Sequence, residues 1–397
     1  MSHPIPKGYR LAGIHAGIKQ NAEARDMALI VSDRNATAAG VYTQNLVFAA
    51  PVALDRSRTP CSEIRTVVVN SGNANACTGQ RGDRDAAAMA ELAARACGAR
   101  AEQALVLSTG VIGHFLPMDK IEAGIQAARQ ALGDGEESLI SAAQGMMTTD
   151  TRHKLAGRTV SLATGEIQIT GLAKGAAMIG PRMATMLGVI LTDAALEPQV
   201  AQQALFAAVD DSFNCISVEG HMSTNDTVLL LANGAAGGAP LAGEDLEAFR
   251  AALAEVCMDL AQQIPADGEG AKHLITIDVD GCASRQAAHA IAKTVGESAL
   301  VKTAIAGADP NWGRIVSAAG YANVPFDPRK VDLRLNGYLL YEQGAPVAFD
   351  ESAVSNSIHD NRDALIALRF GEGNAKVRFW TTDLTAEYVR LNADYRT

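Results

Sequence analysis

The chain has 397 residues, with 34 lysine and arginine residues against 44 aspartate and glutamate residues, and its formal net charge at neutral pH is -10. Its 48% hydrophobic and 20% charged residues are typical of a folded protein, which excludes disorder as a description of the whole chain. An acidic chain without a basic block is also a poor nucleic-acid-binding protein, because phosphate binding needs clustered lysine and arginine. Small metabolites are therefore the expected ligands.

Apolar periodicity predicts helices and strands that alternate along the chain. In chain order it predicts a strand at 66–70, helices at 83–97 and 118–132, a strand at 183–192, a helix at 245–264, and strands at 273–279 and 375–381. Two antiparallel hairpins are expected at 158–170 and 330–341, the second around Asn336-Gly337. Because hairpins require antiparallel neighbours, this pattern predicts a mixed α/β fold and disfavours a simple doubly wound parallel sheet.

No segment of the sequence predicts a membrane span or a secretory signal. The apolar stretch 227–243 is interrupted by Gly and Pro and is shorter than the ~20 residues that a bilayer requires. Residues 1–20 lack the continuous apolar core of a signal peptide. The six cysteines contain no CxxC pair, which predicts buried, reduced thiols of a cytoplasmic protein and no zinc site.

Generic motifs leave the functional site unlocated. GxxxxGK[ST], HExxH and GxSxG patterns are absent, and residues 268–273 lack the last glycine of a dinucleotide-binding loop. Three polar clusters, at 108–110, 148–151 and 223–226, are explained more simply by helix caps and turns than by a functional role. Composition and spacing therefore predict an α/β enzyme without indicating its reaction.

A more specific signal is the stretch 174–187, which reads KGAAMIGPRMATML. It resembles the self-cleavage segment of the ornithine acetyltransferase family, the bifunctional glutamate N-acetyltransferases of arginine biosynthesis. Further blocks follow in family order: VNSGNANACTG at 69–79, STGVIG at 108–113, MTTDT at 147–151, STNDT at 223–227, ADPNWGRI at 308–315 and LNADYRT at 391–397. The resemblance thus extends over most of the chain.

The resemblance implies a self-cleaving enzyme with a layered α/β sandwich fold of the N-terminal-nucleophile-like type. Cleavage between Ala184 and Thr185 would give an α fragment of residues 1–184 and a β fragment of residues 185–397. The smaller lobe would lie in the β fragment. The two fragments would remain associated, usually as an α2β2 assembly, and no metal or organic cofactor is implied.

The proposed nucleophile explains why cleavage would matter. A threonine hydroxyl is a weak nucleophile that needs a base. Cleavage frees an α-amine on Thr185 itself, and the ordinary pKa of such an amine, about 7.7–8.0, suits a general base near neutral pH. Before cleavage, the same hydroxyl can attack the carbonyl of Ala184 in an N-to-O acyl shift.

The implied reaction is ping-pong transfer of an acetyl group from N-acetylornithine to glutamate through acetyl-Thr185. Use of acetyl-CoA as a second donor is left open. Oxyanion stabilisation is implied for the Thr109 hydroxyl and the Gly110 N–H, although Gly110 could also be a simple strand-end turn. The implied substrate-binding residues, which suit carboxylate and ammonium groups, are Thr151, Lys174, Thr185, Glu269, Asn392 and Thr397.

Two features leave alternatives open. Thr148 and Thr149 share a run with Thr151, and residues 218–226 read VEGHMSTND where many relatives read VDGDTSTND, so that His221 and Met222 replace an acidic and a hydroxyl residue. One rival function is a self-cleaving hydrolase of the aminopeptidase type, in which water resolves the acyl-threonine. Another is a non-catalytic amino-acid-binding protein that keeps the fold but does not cleave its own chain.

Overall fold

The computed structural model describes residues 3–163, 165–180 and 186–394. The strands are β1 Tyr9–Ile14, β2 Met27–Tyr42, β3 Cys61–Asn73, β4 Ala104–Val111, β5 Lys154–Leu162, β6 Gly165–Lys174, β7 Leu187–Thr192, β8 Thr227–Ala232, β9 Leu274–Cys282, β10 Asp332–Leu335, β11 Tyr338–Glu342, β12 Ala345–Pro346, β13 Asp363–Arg369 and β14 Ala375–Thr382. The α-helices are α1 Ala50–Arg58, α2 Gly79–Ala96, α3 Met118–Gln130, α4 Glu136–Met146, α5 Pro198–Asp210, α6 Gly243–Gln263, α7 Arg285–Glu297, α8 Ala299–Ala306, α9 Trp312–Gly320, α10 Glu351–His359 and α11 Ala386–Asp394.

The long strand β2 connects the two halves of the larger sheet, whose order is β4-β3-β2-β8-β7-β6-β5, with β1 also paired to β2. Residues 27–31 of β2 pair with β1 and β3, whereas residues 37–42 pair with β8. The β2–β3 register shifts between Val31 and Ala38. Such irregularities bend and twist a strand, so one strand can serve two differently oriented half-sheets.

The two half-sheets share one apolar core. Its buried side chains include Ile30 and Val67 from the first half and Val189 and Leu229 from the second. Helices α2 and α3 cover the other face of the first half, and α5 and α6 cover the other face of the second. This α/β/β/α arrangement confirms the predicted layered α/β sandwich.

A second, smaller sheet in the C-terminal part of the chain has the order β12-β11-β10-β13-β9-β14. Helix α7 packs on β9 and β14, and the apolar core continues from the larger sheet into this lobe. The described helices include none that is long and apolar enough to cross a membrane.

Both predicted hairpins are present. Strands β5 and β6 pair antiparallel, and so do β10 and β11. Asn336 and Gly337 both have positive φ, at 49° and 88°, as a two-residue type I′ turn requires. Strand β7 begins at Leu187, later than the predicted start at 183, and residues 183–185 lie outside the described residues.

The prediction that the cysteines are buried is only partly correct. All six lie in the described part of the chain and are free thiols. Cys215, Cys257 and Cys282 are buried, but Cys61 and Cys97 are half-buried and Cys77 is exposed. Cys77 lies in the connection between β3 and α2, and such connections run along the protein surface.

Candidate active site

The parallel strands β3 and β4 end side by side, and their backbones approach closely there. Ser71 pairs with Thr109, and Gly72 pairs with Gly110. Gly110 has a φ of 132°, and a Cβ atom at this position would lie 2.3 Å from the carbonyl carbon of Gly72. Gly110 is therefore a strand residue at a close backbone approach, where only glycine fits, rather than part of a simple turn.

Asn225 connects these strand ends to the segment that precedes β8. Its side-chain Nδ2 donates to the carbonyls of Ala74 and Ser108 at 2.7 and 2.8 Å. The Ser108 hydroxyl in turn donates to Oδ1 of Asn70 at 2.6 Å. These polar groups are buried, where hydrogen bonds lack competition from water, so the network holds the backbone next to Thr109 in place.

These elements border a cavity of about 180 Å³. Its lining brings together five of the residues implied by the resemblance: Thr109, Gly110, Lys174, Glu269 and Asn392. They come from β4, the end of β6, the loop before β9, and α11. The other lining residues are Ala74, Ile112, Thr148, Thr149, Ala177, Met178, Ser223, Thr224 and Asn225.

Ala184, Thr185 and Thr397 lie outside the described residues. On the C-terminal side of residues 181–185, the N–H of Met186 donates to Oδ1 of Asp226 at 3.2 Å. On the N-terminal side, Met178 lines the cavity. Met178 thus lines the cavity shortly before this stretch, and the partner of Met186, Asp226, directly follows the cavity-lining Asn225.

Thr151 is separated from the other five residues. It lines a neighbouring cavity of about 730 Å³, and Thr149 and Glu269 line both cavities. Its N–H donates to Asp267 at 3.1 Å, and its hydroxyl donates to the same carboxylate. Within the hydroxyl-rich run, the smaller cavity is lined by Thr148 and Thr149 instead.

Lys174 is the charged side chain most deeply enclosed at the cavity. It is 2% exposed, and within the described residues its ammonium group has no hydrogen-bond partner. Burial lowers the pKa of Lys174 to about 8, although the charges of Asp150 and Asp226 act in the opposite direction. An unpaired ammonium group that is still protonated near neutral pH can bind a carboxylate.

Glu269 faces the C-terminal helix. Nδ2 of Asn392 donates to its Oε2 at 2.9 Å, and its own N–H donates to the carbonyl of Ala176 at 2.9 Å. A Cβ atom at the neighbouring Gly270 would lie 2.5 Å from the backbone nitrogen of Tyr388, so α11 packs closely against this loop. The arrangement supplies a carboxylate that can bind a substrate ammonium group.

Sequence reasoning missed several buried polar residues around the cavity. Asn225, Asp226, Asp150, Lys154 and Asp267 are all buried. Burial raises the pKa of Asp226 well above its ordinary value, and its Oδ2 has no hydrogen-bond partner among the residues that the structure describes. Asp150, Asn225 and Asp226 belong to the polar clusters at 148–151 and 223–226, for which caps and turns were the simpler explanation, and Lys154 and Asp267 lie outside these clusters.

The departure at residues 221–222 does not reach the cavity lining. His221 is exposed, and Met222 contributes its backbone carbonyl, which accepts Nδ2 of Asn45 at 3.1 Å. Within the described ranges, no group of three His, Cys, Asp or Glu residues is arranged to hold a metal ion.

Comparison with known proteins identifies the family. The sequence model of the ArgJ family matches residues 10–397. The chain belongs to the ArgJ family. This membership confirms the resemblance and makes the chain an acyltransferase of arginine biosynthesis.

Full-length ArgJ relatives are similar to nearly all of this chain. The arginine biosynthesis bifunctional protein ArgJ of Rhodopirellula baltica is 46% identical, covering 100% of this chain and 97% of that protein. The protein of the same name from Symbiobacterium thermophilum is 47% identical, covering 99% of this chain and 98% of its own length. A crystal structure of the ArgJ protein from Bacillus halodurans shares 39% identity with a TM-score of 0.50, covering 51% of this chain and 96% of that one.

Proposed function

We propose that this ArgJ-family chain transfers the acetyl group of N-acetylornithine to glutamate through an acetyl-Thr185 intermediate. The observation that supports this most directly is the cavity lined by Lys174, Glu269, Thr109 and Gly110. A cation, a carboxylate and oxyanion donors around one small cavity match an amino-acid substrate that carries an acyl group. The products are ornithine and N-acetylglutamate.

Each part of the substrate has a partner at the cavity. The ammonium group of Lys174 binds the α-carboxylate, and the carboxylate of Glu269 binds the δ-ammonium group of the ornithine side chain. Asn392, whose Nδ2 donates to Glu269 and to the carbonyl of Tyr388, is a further proposed substrate-binding residue. Thr151 and Thr397 are further proposed substrate-binding residues.

Acyl transfer takes place in two halves. The Thr185 hydroxyl attacks the acetyl carbonyl while the free α-amine of Thr185 accepts its proton. The Thr109 hydroxyl and the Gly110 N–H stabilise the oxyanion. The intermediate collapses, the proton passes to the departing amine, and ornithine leaves. The amine of glutamate then attacks the acetyl ester, and the same steps in reverse regenerate the threonine hydroxyl.

Maturation would divide the chain into an α fragment of residues 1–184 and a β fragment of residues 185–397. The sheet supports a stable association of the fragments, because β6 pairs with β7 and β2 pairs with β8. Separating the fragments would break the larger sheet at both places. We further propose that the fragments form an α2β2 assembly in the cytoplasm.

Acetyl-CoA is proposed as a second acetyl donor. The support is the name of the two similar ArgJ proteins, which describes them as bifunctional. Acetyl-CoA would form the same acetyl-Thr185, from which glutamate takes the acetyl group. Production of N-acetylglutamate from acetyl-CoA and glutamate, without N-acetylornithine, tests this donor.

Denaturing mass spectrometry tests the mechanism directly. We expect two species of about 19 and 22 kDa, in proportion to the fragment lengths within the 41.4 kDa chain. Exposure to N-acetylornithine without glutamate should add one acetyl group to the larger fragment. An active protein that consists only of the uncut chain would contradict the proposed mechanism.

In the hydrolase alternative, water and not glutamate attacks the acetyl-threonine. Incubation with N-acetylornithine, with and without glutamate, separates the two reactions. Transfer predicts that glutamate accelerates the release of ornithine and yields N-acetylglutamate. Acetate release at a rate that glutamate does not change would instead indicate hydrolysis.

A further inference from the structure

A buried cluster of three charged residues lies next to the cavity. Nζ of Lys154 lies 2.6 Å from Oδ1 of Asp150 and 2.7 Å from Oδ2 of Asp267. None of the three side chains is more than 3% exposed. The cluster is shielded from solvent, so its charges interact strongly and its geometry is well defined.

Asp150 connects two pieces of backbone that border the cavity. Its Oδ1 accepts the N–H of Gly175 at 2.6 Å, directly after Lys174 at the end of β6. Its Oδ2 accepts the N–H of Thr148 at 3.0 Å. Asp150 therefore holds the backbone that carries Lys174.

Asp267 is connected to Glu269 through the chain itself. It lies two residues before Glu269 in the same loop, and it accepts the N–H and the hydroxyl of Thr151. Lys154 pairs with both Asp150 and Asp267, so one buried ammonium group connects the backbone that carries Lys174 to the loop that carries Glu269.

Stability by itself is a weak reason for such a cluster. Removing three charges from water costs free energy that their attraction barely offsets, and well-packed apolar side chains often stabilise as much. A buried, fully hydrogen-bonded ion cluster does fix the relative positions of the segments it joins. Here those segments carry the two proposed partners of the substrate's charged ends.

We propose that the cluster Asp150–Lys154–Asp267 is a positioning device that sets the separation between Lys174 and Glu269, and so selects substrates by side-chain length. The inference rests on the proposed function, which assigns those two residues to the substrate's carboxylate and ammonium groups. The selected class is an Nα-acetylated diamino acid with the side chain of ornithine. In a substrate with one more methylene group, such as Nα-acetyllysine, the distance between carboxylate and ammonium group no longer matches the separation between Lys174 and Glu269.

The test is the ratio of kcat/KM for N-acetylornithine to kcat/KM for Nα-acetyllysine. One methylene group changes such a ratio about tenfold or more, so the wild-type chain should prefer N-acetylornithine by at least that factor. Asp150→Asn and Asp267→Asn should reduce the preference about tenfold, because each weakens the link between the two segments. Thermal unfolding and fragment masses are measured on each variant.

Asp193→Asn is a matched control. Asp193 is also a buried carboxylate that accepts two backbone N–H groups, from Lys7 and Gln168. It directly follows the C-terminal end of β7, whereas the cavity lies near the N-terminal end of that strand. Its amide variant should lower stability and leave the substrate ratio at the wild-type value. A loss of selectivity in this control equal to that of the cluster variants would overturn the proposal.

Asp267→Glu covers the case in which the amide variants fail to fold. It keeps Lys154 paired and lengthens the link by one methylene group, so the chain should fold with a substrate ratio shifted severalfold. Folded, cleaved Asp267→Glu with the wild-type ratio would refute the positioning role. If the wild-type chain does not use N-acetylornithine at all, the proposed function is wrong. If the wild-type chain uses it but the cluster variants keep the wild-type substrate ratio, only the positioning role is wrong.

Discussion

Glu219 holds the backbone of Ile179, because its Oε1 accepts the Ile179 N–H at 2.6 Å. The carbonyl of Ile179 accepts hydrogen bonds from the N–H groups of Val218 and Gly220 and from the Ser217 hydroxyl. The described chain just before residues 181–185 is thus fixed by residues 217–220. The other oxygen of Glu219, Oε2, is buried and has no hydrogen-bond partner within the described ranges of the chain.

This burial predicts a pH-dependent stability. Burial raises the pKa of Glu219 to about 7, although its bond to Ile179 and the charge of Lys302 act in the opposite direction. The folded protein holds the proton that the unfolded chain loses, so the contribution of Glu219 to the free energy of unfolding should fall by ~3 kcal/mol between about pH 4.5 and pH 7. Denaturant unfolding across this range measures it.

Glu219→Gln should remove that pH dependence, because the amide keeps an oxygen acceptor for Ile179 but does not titrate. Relative to wild type, the variant should therefore gain stability as the pH rises to 7. Glu247→Gln, at an exposed position on α6, is the control and should follow the wild-type curve. Parallel curves for wild type and Glu219→Gln would contradict the prediction.

Replacing the proposed nucleophile should abolish both reactions. Thr185→Ala lacks the hydroxyl required for the acyl shift and for acetyl transfer, so it should remain one uncut chain without transferase activity. Thr185→Ser keeps a hydroxyl and should cleave and transfer more than Thr185→Ala. Mass spectrometry and an N-acetylglutamate assay measure the two outcomes, and acetyl transfer by Thr185→Ala would exclude Thr185 as nucleophile.

Lys174 should control substrate affinity in a pH-dependent way. Because its pKa is lowered to about 8, the ammonium group loses its proton as the pH rises through 8, and KM for glutamate should then increase. Lys174→Met removes a charge-assisted hydrogen bond and should raise KM about 10- to 100-fold. The variant should still fold, because it removes a buried charge that has no hydrogen-bond partner among the described residues. An unchanged KM would remove Lys174 from the binding site.

Gly110→Ala should damage both folding and transfer. The added Cβ atom would meet the carbonyl carbon of Gly72 at 2.3 Å, and the backbone would have to shift. Alanine keeps the backbone N–H, but the shift would move that N–H away from the oxyanion. Loss of one oxyanion hydrogen bond lowers the rate about 10²- to 10³-fold, and steady-state kcat measures this loss. Gly320→Ala in α9 is the control and should leave kcat unchanged, since its added Cβ would meet no described atom within 4 Å apart from its chain neighbours and the backbone of its own helix.

Asn225→Ala should destabilise the cavity wall, because it removes the side-chain donor to the buried carbonyls of Ala74 and Ser108. Each buried polar group left unsatisfied costs about 1–3 kcal/mol, so the thermal midpoint should drop by several degrees. Asn225→Asp keeps the shape of the side chain but lacks the donors, and we expect it to lose at least as much stability. Wild-type stability in both variants would show that the hydrogen bonds from Asn225 to Ala74 and Ser108 do not stabilise the fold.

Features that depend on residues close together in the chain could be predicted from the sequence. The periodic apolar stripe predicted α6, and Asn336-Gly337 predicted its hairpin, because helix faces and tight turns are local properties. The sequence also identified the family, since whole motifs recur in order, and it drew attention to Lys174, Glu269, Thr109 and Gly110. The resemblance to the family implied that these four residues form one site, whereas their spacing in the sequence did not predict this.

Contacts between polar residues that are distant in the chain could be seen only in the folded structure. It placed Thr149 at the small cavity and turned Thr151 toward Asp267, although both belong to one hydroxyl-rich run. It also joined Lys154 to Asp267, which lies 113 residues away. Such contacts depend on how strands and loops distant in the chain pack together, and local propensity carries no information about that packing.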